Sequence, residues 1–303
     1  MASVGVVVAA GGAVGAARKA SSYHSPSLTR SGTLILRAAG NHHEGEDYVT
    51  RSFRLAELTR EKVRELAPHS TVIVATSSTE QHGPHLPINT DAAIVDAIIS
   101  RAAERAAQQI SVLVAPPLHF GFSPQHLFAC ALTLRSTTFY QVIWDIGSSL
   151  ASAGFRRIFL LNSHGGNDEC DRLLTKDLVI HHDVTVAACS YWTIADAALK
   201  EIGARDLGII PGHAGGFETA LMMAIAPELV DYDLLPATSP DPGPISSRGV
   251  FPGLAIQKHD EWKRVGGYSD APTKATAEKG KLILATIADV VADAVIAFHR
   301  SFV

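Results

Sequence analysis

The chain has 303 residues, a formal net charge of −4, 47% hydrophobic residues and 18% charged residues. This composition supplies a large buried core and excludes a chain that is disordered throughout. The length predicts one or two domains, and the near-neutral charge argues against a nucleic-acid-binding surface, which needs a basic face. Three cysteines cannot form a disulfide framework in a chain of this size, and no apolar run predicts a membrane span.

The beginning of the chain differs in composition from the rest. Up to residue 40 it contains basic residues and many serines but no acidic residue, and the first acid is Glu44. A basic, serine-rich leader without acids is typical of an organelle transit peptide. We predict a disordered transit peptide over residues 1–44, with the chloroplast as destination and the mitochondrion or cytoplasm as alternatives. Residues 45–303 are then predicted to form one catalytic domain.

After the leader, short apolar strands alternate with helices. The patterns predict strands over residues 71–77, 112–115, 157–162 and 184–189, and helices over residues 92–109, 138–153, 168–181, 217–225 and 275–298. Because the strands are continuously apolar, both of their faces should be buried, as in a parallel sheet between helix layers. The predicted fold is therefore of the α/β class, a three-layer α/β/α sandwich with a mainly parallel central sheet.

A long irregular segment precedes the last predicted helix. Residues 236–256 contain five prolines and three glycines, which predicts a surface segment without regular structure. Such a segment is expected to act as a lid or as a subunit contact.

The first polar segment follows the first predicted strand, where an open parallel sheet binds its ligands. It reads SSTEQHGPHLPINTD over residues 77–91, so Glu80 and His82 point the same way in an extended chain and Gln81 points away. With Asp91 they form a set of oxygen and nitrogen donors that suits a divalent metal ion. The alternative is that Asp91 is a helix N-cap and His82 a surface loop residue.

The second segment, NSHGGN over residues 162–167, follows the third predicted strand. Gly165 and Gly166 remove side chains beside His164, so that a backbone or a ligand can come close. The alternatives are a glycine turn with a solvent-facing histidine and a phosphate-binding loop, for which the flanking pattern and a lysine are missing. Ser163 is disfavoured as a nucleophile because His164 diverges from it on a strand and no G-x-S-x-G elbow exists.

The third segment, GHAGGFET over residues 212–219, places His213 in a glycine-rich loop and Glu218 at the start of a helix. A glutamate in a first helical turn is favoured by the helix dipole, so Glu218 has a structural alternative. His213 has no such local use, and an imidazole beside an activated water is the usual general acid or base near neutral pH. We also expect His126 at a pocket mouth and Trp192 as either a substrate wall or a core residue.

Together these segments resemble the creatininase (creatinine amidohydrolase) family. The matching stretches TEQHGPHLPINTD, LLNSHGGN and HAGGFETALMMA occur in the family's order, a later stretch SDAPTKATAEKGKLIL also fits, and the resemblance covers residues 45–300. It implies a three-layer α/β/α fold and a centre of two divalent metal ions, zinc first, with manganese or iron as alternatives. It also implies a small-molecule substrate, no nucleic-acid or membrane partner, and a homo-oligomer, often a hexamer.

The resemblance assigns the metal ligands residue by residue. It implies one ion held by Glu80, Asp91 and His164, and a second held by His82 and the bridging Asp91. In creatininases a glutamate two positions after the histidine that matches His164 completes the second site, but this chain has Gly166 there. Glu218 is our candidate for the missing ligand.

The resemblance is weaker in the substrate pocket. His213 matches the catalytic histidine but follows Gly212 rather than a glutamate, Gly165 stands where the family has a tyrosine, and Trp192 alone matches the family's pocket tryptophans. These departures argue against creatinine as the substrate. The NSHGGN version is more similar to relatives that deformylate a formamidopyrimidine or that cleave a peptide during cofactor maturation.

The predicted function is that of a metal-dependent amidohydrolase, a hydrolase of carbon–nitrogen bonds other than peptide bonds. It would cleave an amide, cyclic amide or formamide with a metal-activated water, while His213 stabilises the tetrahedral intermediate or protonates the leaving nitrogen. We expect Gly165, Trp192 and His126 to bind the substrate, and four glycines to leave room for it: Gly165, Gly166, Gly215 and Gly216. The alternatives are a single-metal formamide hydrolase, a peptidase of cofactor biosynthesis, and a non-catalytic metal-binding protein of the same fold.

Overall fold

The computed structural model describes residues 33–34, 51–247, 249–251 and 254–301. Apart from two residues, the predicted transit peptide over residues 1–44 lies outside the described residues, so its role stays a prediction.

The central sheet has four parallel strands. A short antiparallel pair, β1 (Thr33–Leu34) and β2 (Arg51–Ser52), precedes them. The sheet consists of β3 (Thr71–Thr76), β4 (Val112–Val114), β5 (Arg157–Asn162) and β6 (Thr185–Ser190) in the order β4-β3-β5-β6. The predicted strands are therefore confirmed, each to within one residue at its ends.

Helices cover both faces of this sheet. They are α1 (Arg60–Leu66), α2 (Thr90–Ala106), α3 (Ser136–Ser152), α4 (Asp168–His181), α5 (Tyr191–Ile194), α6 (Asp196–Glu201), α7 (Gly216–Ile225), α8 (Glu261–Arg264) and α9 (Ala277–Ser301). Along β3, Ile73 and Ala75 face a core shared with α2, α7 and α9, whereas Val72 and Val74 face a core shared with α1, α3 and α4. Two separate cores on one sheet confirm the predicted three-layer α/β/α fold.

Helix α9 packs against the helix that carries Glu218. Within the described part of the chain it is the one helix long and apolar enough to cross a membrane by length and composition, but 44% of its most apolar window is buried. Its inner face, including Ile287, Val291 and Val295, belongs to the core. Gly280 allows the close approach to α7, because a Cβ there would lie 1.8 Å from the carbonyl oxygen of Ala220.

The described part of the predicted irregular segment, residues 236–256, contains a 3₁₀ turn at Ile245–Ser247. It is tied to α8, since Ile245 donates its N–H to the Glu261 carboxylate over 2.9 Å. Arg264 also donates to the carbonyl oxygens of Pro242 and Gly243 over 2.9 and 3.1 Å. Ser246 of this segment lines the cavity described below, and the segment's role as a lid or a subunit contact stays a prediction.

Candidate functional site

The carboxyl edge of the sheet gathers the polar residues of all three sequence motifs. Six side chains converge there, and none is more than 6% exposed: Glu80, His82, Asp91, His164, His213 and Glu218. Glu80 and His82 lie in the loop after β3, Asp91 in the first turn of α2 and His164 in the loop after β5. Parallel strands deliver these following segments to one edge of the sheet. His213 and Glu218 come from the loop before α7 and from its first turn, which do not directly follow a strand.

Asp91 lies between two imidazoles. Its Oδ2 is 3.2 Å from His164 Nδ1, and its Oδ1 is 3.2 Å from His82 Nε2. Glu80 Oε1 lies 3.2 Å from His164 Nδ1, and Glu218 Oε2 lies 3.7 Å from His82 Nε2. The Asp91 carboxylate therefore lies between two pairs of potential metal ligands. One pair is Glu80 and His164, and the other is His82 and Glu218.

With both imidazoles neutral, several of these buried atoms have no hydrogen-bond partner. They are both carboxylate oxygens of Glu80, Asp91 Oδ2 and His82 Nε2. Buried polar atoms are nearly always paired in native proteins, because an unpaired one costs about 1–3 kcal/mol. A cation coordinated by these atoms would satisfy them together.

The rings of His82 and His164 are oriented as those of metal-ligating histidines usually are. His82 Nδ1 lies 3.0 Å from the carbonyl oxygen of Glu80, and His164 Nε2 lies 3.1 Å from that of Phe122. Because a carbonyl oxygen can only accept, these nitrogens carry the protons in the neutral rings. The opposite nitrogens are then bare and face the carboxylates, which is the arrangement that backbone partners impose on ligating histidines.

The buried carboxylates of the cluster need positive charge nearby. Burial opposes a proton on His82, but Asp91 and Glu218 together raise the pKa of His82 to about 10. Burial likewise opposes ionisation of Asp91, yet His82 and His164 lower the pKa of Asp91 to about 2. Burial raises the pKa of Glu218 to about 7. In the metal-free protein, protons on the imidazoles therefore supply the charge that bound cations would otherwise provide.

Asn162 holds His164 in place and was missed by sequence reasoning. Its Oδ1 accepts the backbone N–H of His164 over 2.9 Å, and its Nδ2 donates to the His164 carbonyl over 2.7 Å. One amide thus fixes both backbone groups of this residue. Its position within the NSHGGN motif, two residues before the histidine, is the signal that could have found it.

The two glycines after His164 differ sharply in their surroundings. A Cβ on Gly166 would lie 2.1 Å from the Phe122 carbonyl oxygen, whereas a Cβ on Gly165 would meet nothing within 4 Å. The backbone therefore excludes the family's glutamate at position 166, and Glu218 is the carboxylate that lies near His82 instead. Of the two, Gly165 is the position open to a ligand.

The expectation that Gly166, Gly215 and Gly216 leave room for a substrate is wrong. A Cβ on Gly215 would lie 2.4 Å from Asp270 Oδ1, and one on Gly216 would lie 2.1 Å from the Leu207 carbonyl oxygen. The space beside these glycines is filled by the protein itself, because the loop packs directly on neighbouring segments.

His213 faces the cluster from the other side. Its Nε2 lies 2.8 Å from the carbonyl oxygen of Gln81, and its Nδ1 lies 3.6 Å from Glu80 Oε1. The Gln81 carbonyl would accept a proton on Nε2, whereas the Gln81 side-chain nitrogen, 2.9 Å from Nε2, would donate to a bare one, so the two contacts favour opposite tautomers of His213. Burial, followed by the charges of His82 and His126, holds the pKa of His213 well below its ordinary value, so the ring is neutral at pH 7.

Gln81 contacts residues of the site although its side chain points away from those of Glu80 and His82. Its amide nitrogen lies 2.7 Å from His126 Nδ1. Its Oε1 accepts the Gly83 N–H over 2.9 Å, which fixes the orientation of the amide. Sequence reasoning placed Gln81 outside the site because strand alternation says nothing about what folds over the opposite face.

A cavity of about 1190 Å³ opens from this cluster. Its lining includes Gly165, Trp192 and His126, the three residues expected to bind substrate, and also Trp262. The Trp262 ring lies 5.1 Å from that of His213 and 5.2 Å from that of His126. His126 is itself buried, and Trp192 also packs against the core, so it serves as both wall and core.

Comparison with known proteins identifies the family. The family described as Creatininase: Creatinine amidohydrolase matches residues 56–295. Creatinine amidohydrolase from Pseudomonas putida is 31% identical over 268 residues, which are 82% of this chain and 97% of that protein. Mycofactocin precursor peptide peptidase from Mycobacterium ulcerans (strain Agy99) is 30% identical over 227 residues, which are 72% of this chain and 82% of that protein.

Solved creatininases share the fold. A mutant creatininase complexed with creatine matches with a TM-score of 0.67 and 30% identity, over 82% of this chain and 99% of that one. Other solved creatininases are of a Zn-Zn type and of a Mn form. The predicted enzyme class, a hydrolase of carbon–nitrogen bonds other than peptide bonds, is confirmed by these relatives. The chain belongs to the creatininase (creatinine amidohydrolase) family.

Proposed function

We propose that this amidohydrolase holds two divalent metal ions, zinc or manganese, at its buried cluster. Glu80, Asp91 and His164 would hold one ion, and His82, Asp91 and Glu218 would hold the other. The observation that carries the proposal is the set of buried, unpartnered carboxylate and imidazole atoms that face one another. The Zn-Zn and Mn forms of solved creatininases support the choice of ions.

The donor set fits these ions. It contains carboxylate oxygens and imidazole nitrogens and no thiolate, which suits zinc and manganese. The carbonyl partners of His82 and His164 leave their inner nitrogens free to ligate without a change of tautomer. When bound, such ions supply an activated water at neutral pH and polarise the carbonyl oxygen of a substrate.

His213 would then move the proton. In the tautomer with its proton on Nε2, the ring's bare Nδ1 would accept a proton from the attacking water, and the resulting imidazolium would be held by the Nε2–H bond to the Gln81 carbonyl over 2.8 Å. The same nitrogen next donates that proton to the leaving amide nitrogen, which departs as an amine. The low pKa of His213 favours this second transfer, because the buried imidazolium gives up its proton readily, and it makes the neutral ring a weak base for the first.

We propose a substrate bulkier than creatinine. A cavity of about 1190 Å³ exceeds the usual range of about 300–1000 Å³ for drug-sized ligands, and Gly165 opens one wall of it. Trp192 and Trp262 offer flat apolar surfaces to a ring-bearing body. An amide or formamide attached to a large heterocycle fits this cavity. The similarity to mycofactocin precursor peptide peptidase supports the end of a peptide as a second candidate.

Metal stoichiometry and turnover test the site together. In zinc-loaded protein, His164→Ala should lose one ion per chain and reduce turnover by more than about 100-fold, since even residues behind the ligands change affinity or activity by about 10–100-fold. Glu218→Gln should weaken the other ion. The matched controls are His69→Ala and Glu228→Gln, which change exposed residues outside the cavity.

The assay should offer creatinine, formamides of bulky heterocycles and short peptides to zinc- and manganese-loaded protein. Unchanged metal content and turnover in His164→Ala would refute the ligand assignment. One ion per wild-type chain would favour the single-metal alternative. Tight metal binding without turnover of any of these compounds would favour a non-catalytic protein.

We propose further that residues 1–44 direct the chain to the chloroplast and that the mature domain forms a homo-oligomer. The acid-free, basic composition of the leader supports the first proposal. N-terminal sequencing of the mature protein tests the leader, and light scattering tests the assembly. A mature chain that still begins at Met1 would refute the targeting role.

A further inference from the structure

We propose that Ser269 and Asp270 are positioning residues that lock the His213 loop to the start of helix α7. They lie outside the three motifs described above, and both are buried, at 3% and 8% exposure. Their hydrogen bonds go to backbone groups and to each other, not to the His213 ring or to the carboxylates of the cluster. Their effect on the reaction would therefore be indirect, through the backbone.

Ser269 holds His213 from both sides of its Cα. Its hydroxyl oxygen accepts the His213 N–H over 3.0 Å, and its own N–H donates to the His213 carbonyl over 2.8 Å. These two bonds fix the backbone of His213 in the same way as the Asn162 amide fixes that of His164. The direction of the His213 ring toward Glu80 and the Gln81 carbonyl depends on this backbone.

Asp270 extends the lock to the helix that carries Glu218. Its Oδ1 accepts the Ser269 hydroxyl over 2.6 Å, and its Oδ2 accepts the N–H of Gly216 over 3.0 Å. Gly216 is the first residue of α7, where a carboxylate is favoured by free N–H groups and by the helix dipole. One carboxylate thus connects the proposed proton carrier with the proposed metal ligand.

The glycines of the loop make room for this pair. A Cβ on Gly208 would lie 2.0 Å from Asp270 Oδ2, and one on Gly212 would lie 2.6 Å from Ser269 Oγ. Gly215 faces Asp270 at 2.4 Å in the same way. Any side chain at these three positions would collide with the carboxylate or the hydroxyl, so glycine is required for this packing.

The inference rests on the proposed roles of His213 and Glu218, and it predicts different effects for the two residues. Ser269→Ala should lower kcat at least about tenfold with little change in KM, because it leaves the buried His213 N–H without an acceptor. Zinc affinity should stay within about threefold of wild type, since no proposed ligand is touched. Asp270→Asn should lower kcat and also weaken zinc at least about tenfold, because an amide has one acceptor oxygen and cannot accept both the Ser269 hydroxyl and the Gly216 N–H.

Ser239→Ala is the matched control. Ser239 accepts the N–H of Ala271 over 2.9 Å, so it holds the same segment by the same kind of bond on the exposed side. It should leave kcat and zinc affinity at wild-type values. If Ser269→Ala does not fold, Asp270→Asn alone tests the pair.

A third measurement does not depend on catalysis or metal. In the metal-free wild type the His213 ring is buried, and NMR can follow the exchange of its ring proton with solvent, assigned by its loss in His213→Gln. Exchange should accelerate at least about tenfold in Ser269→Ala and not in Ser239→Ala. If the wild type proves to lack amidase activity, this exchange and the zinc titration still test the positioning role of Ser269 and Asp270. Wild-type exchange in Ser269→Ala together with wild-type zinc affinity in Asp270→Asn would overturn the inference, even with a lowered Tm.

Discussion

Asp171 is a buried carboxyl group that takes no part in the proposed chemistry, and it should make the protein less stable at higher pH. It lies on α4 with 1% exposure. Its Oδ2 accepts the Thr76 hydroxyl over 2.7 Å, but its Oδ1 has no hydrogen-bond partner. Burial raises the pKa of Asp171 from its ordinary 3.8 to about 7, against the Thr76 bond and with help from Asp168.

The sign of the effect follows from where each state ionises. Between about pH 4 and pH 7 the folded protein holds a proton on Asp171 that the unfolded chain has lost, so stability falls as pH rises through this window. A rise in pKa from 3.8 to about 7, at about 1.4 kcal/mol for each pKa unit, amounts to about 4 kcal/mol. Asp171→Asn cannot ionise and keeps the shape of the side chain. We therefore expect the variant to match wild type near pH 4 and to exceed its stability by up to about 4 kcal/mol above pH 7.

Guanidinium unfolding of zinc-loaded wild type and Asp171→Asn between about pH 5 and pH 8 measures this difference. Asp145→Asn, an exposed change on α3, should leave the pH dependence of wild type unaltered. A variant that is less stable than wild type at pH 8 would refute the reasoning, because it would mean that the ionised carboxylate is stabilised by the fold.

Three further outcomes are expected. Gly166→Ala should destabilise the protein by about 2 kcal/mol or more through overpacking, whereas Gly165→Ala should be within about 0.5 kcal/mol of wild type; equal values from thermal unfolding would contradict the filled and open surroundings of the two glycines. Gly280→Ala should also destabilise by at least about 2 kcal/mol in denaturant unfolding, despite the better helix propensity of alanine, because α9 would have to move away from α7. Zinc binding should release protons from His82 and His164, so calorimetry in buffers of different ionisation enthalpy should detect proton release and an affinity that rises with pH; binding without proton release would show that the metal-free imidazoles are neutral.

Local sequence patterns were enough to predict the strands, most helices and the place of the first polar segment at the edge of the sheet. The apolar runs that became β3 and β5 predict strands buried on both faces, because only a sheet between two helix layers can cover them. Glu80 and His82 share a face by strand alternation over two residues. His164 could be assigned to the same edge because it directly follows β5 and strand ends meet there. His213 follows no strand directly, and its motif alone assigned it to the site.

Tertiary structure decided what surrounds each of these residues. Ser269 is 56 positions from His213, and Gln81 is 45 positions from His126, so no periodicity links the members of either pair. Gly165 and Gly166 are identical in sequence, yet one faces a cavity and the other a carbonyl oxygen. Sequence by itself determined which groups reach the edge of the sheet, because hydrophobic periodicity and strand direction are local properties. Which of those groups remain unpaired, and which are held by distant hydrogen bonds, was decided by packing, because contacts between remote segments depend on the shape of the whole fold.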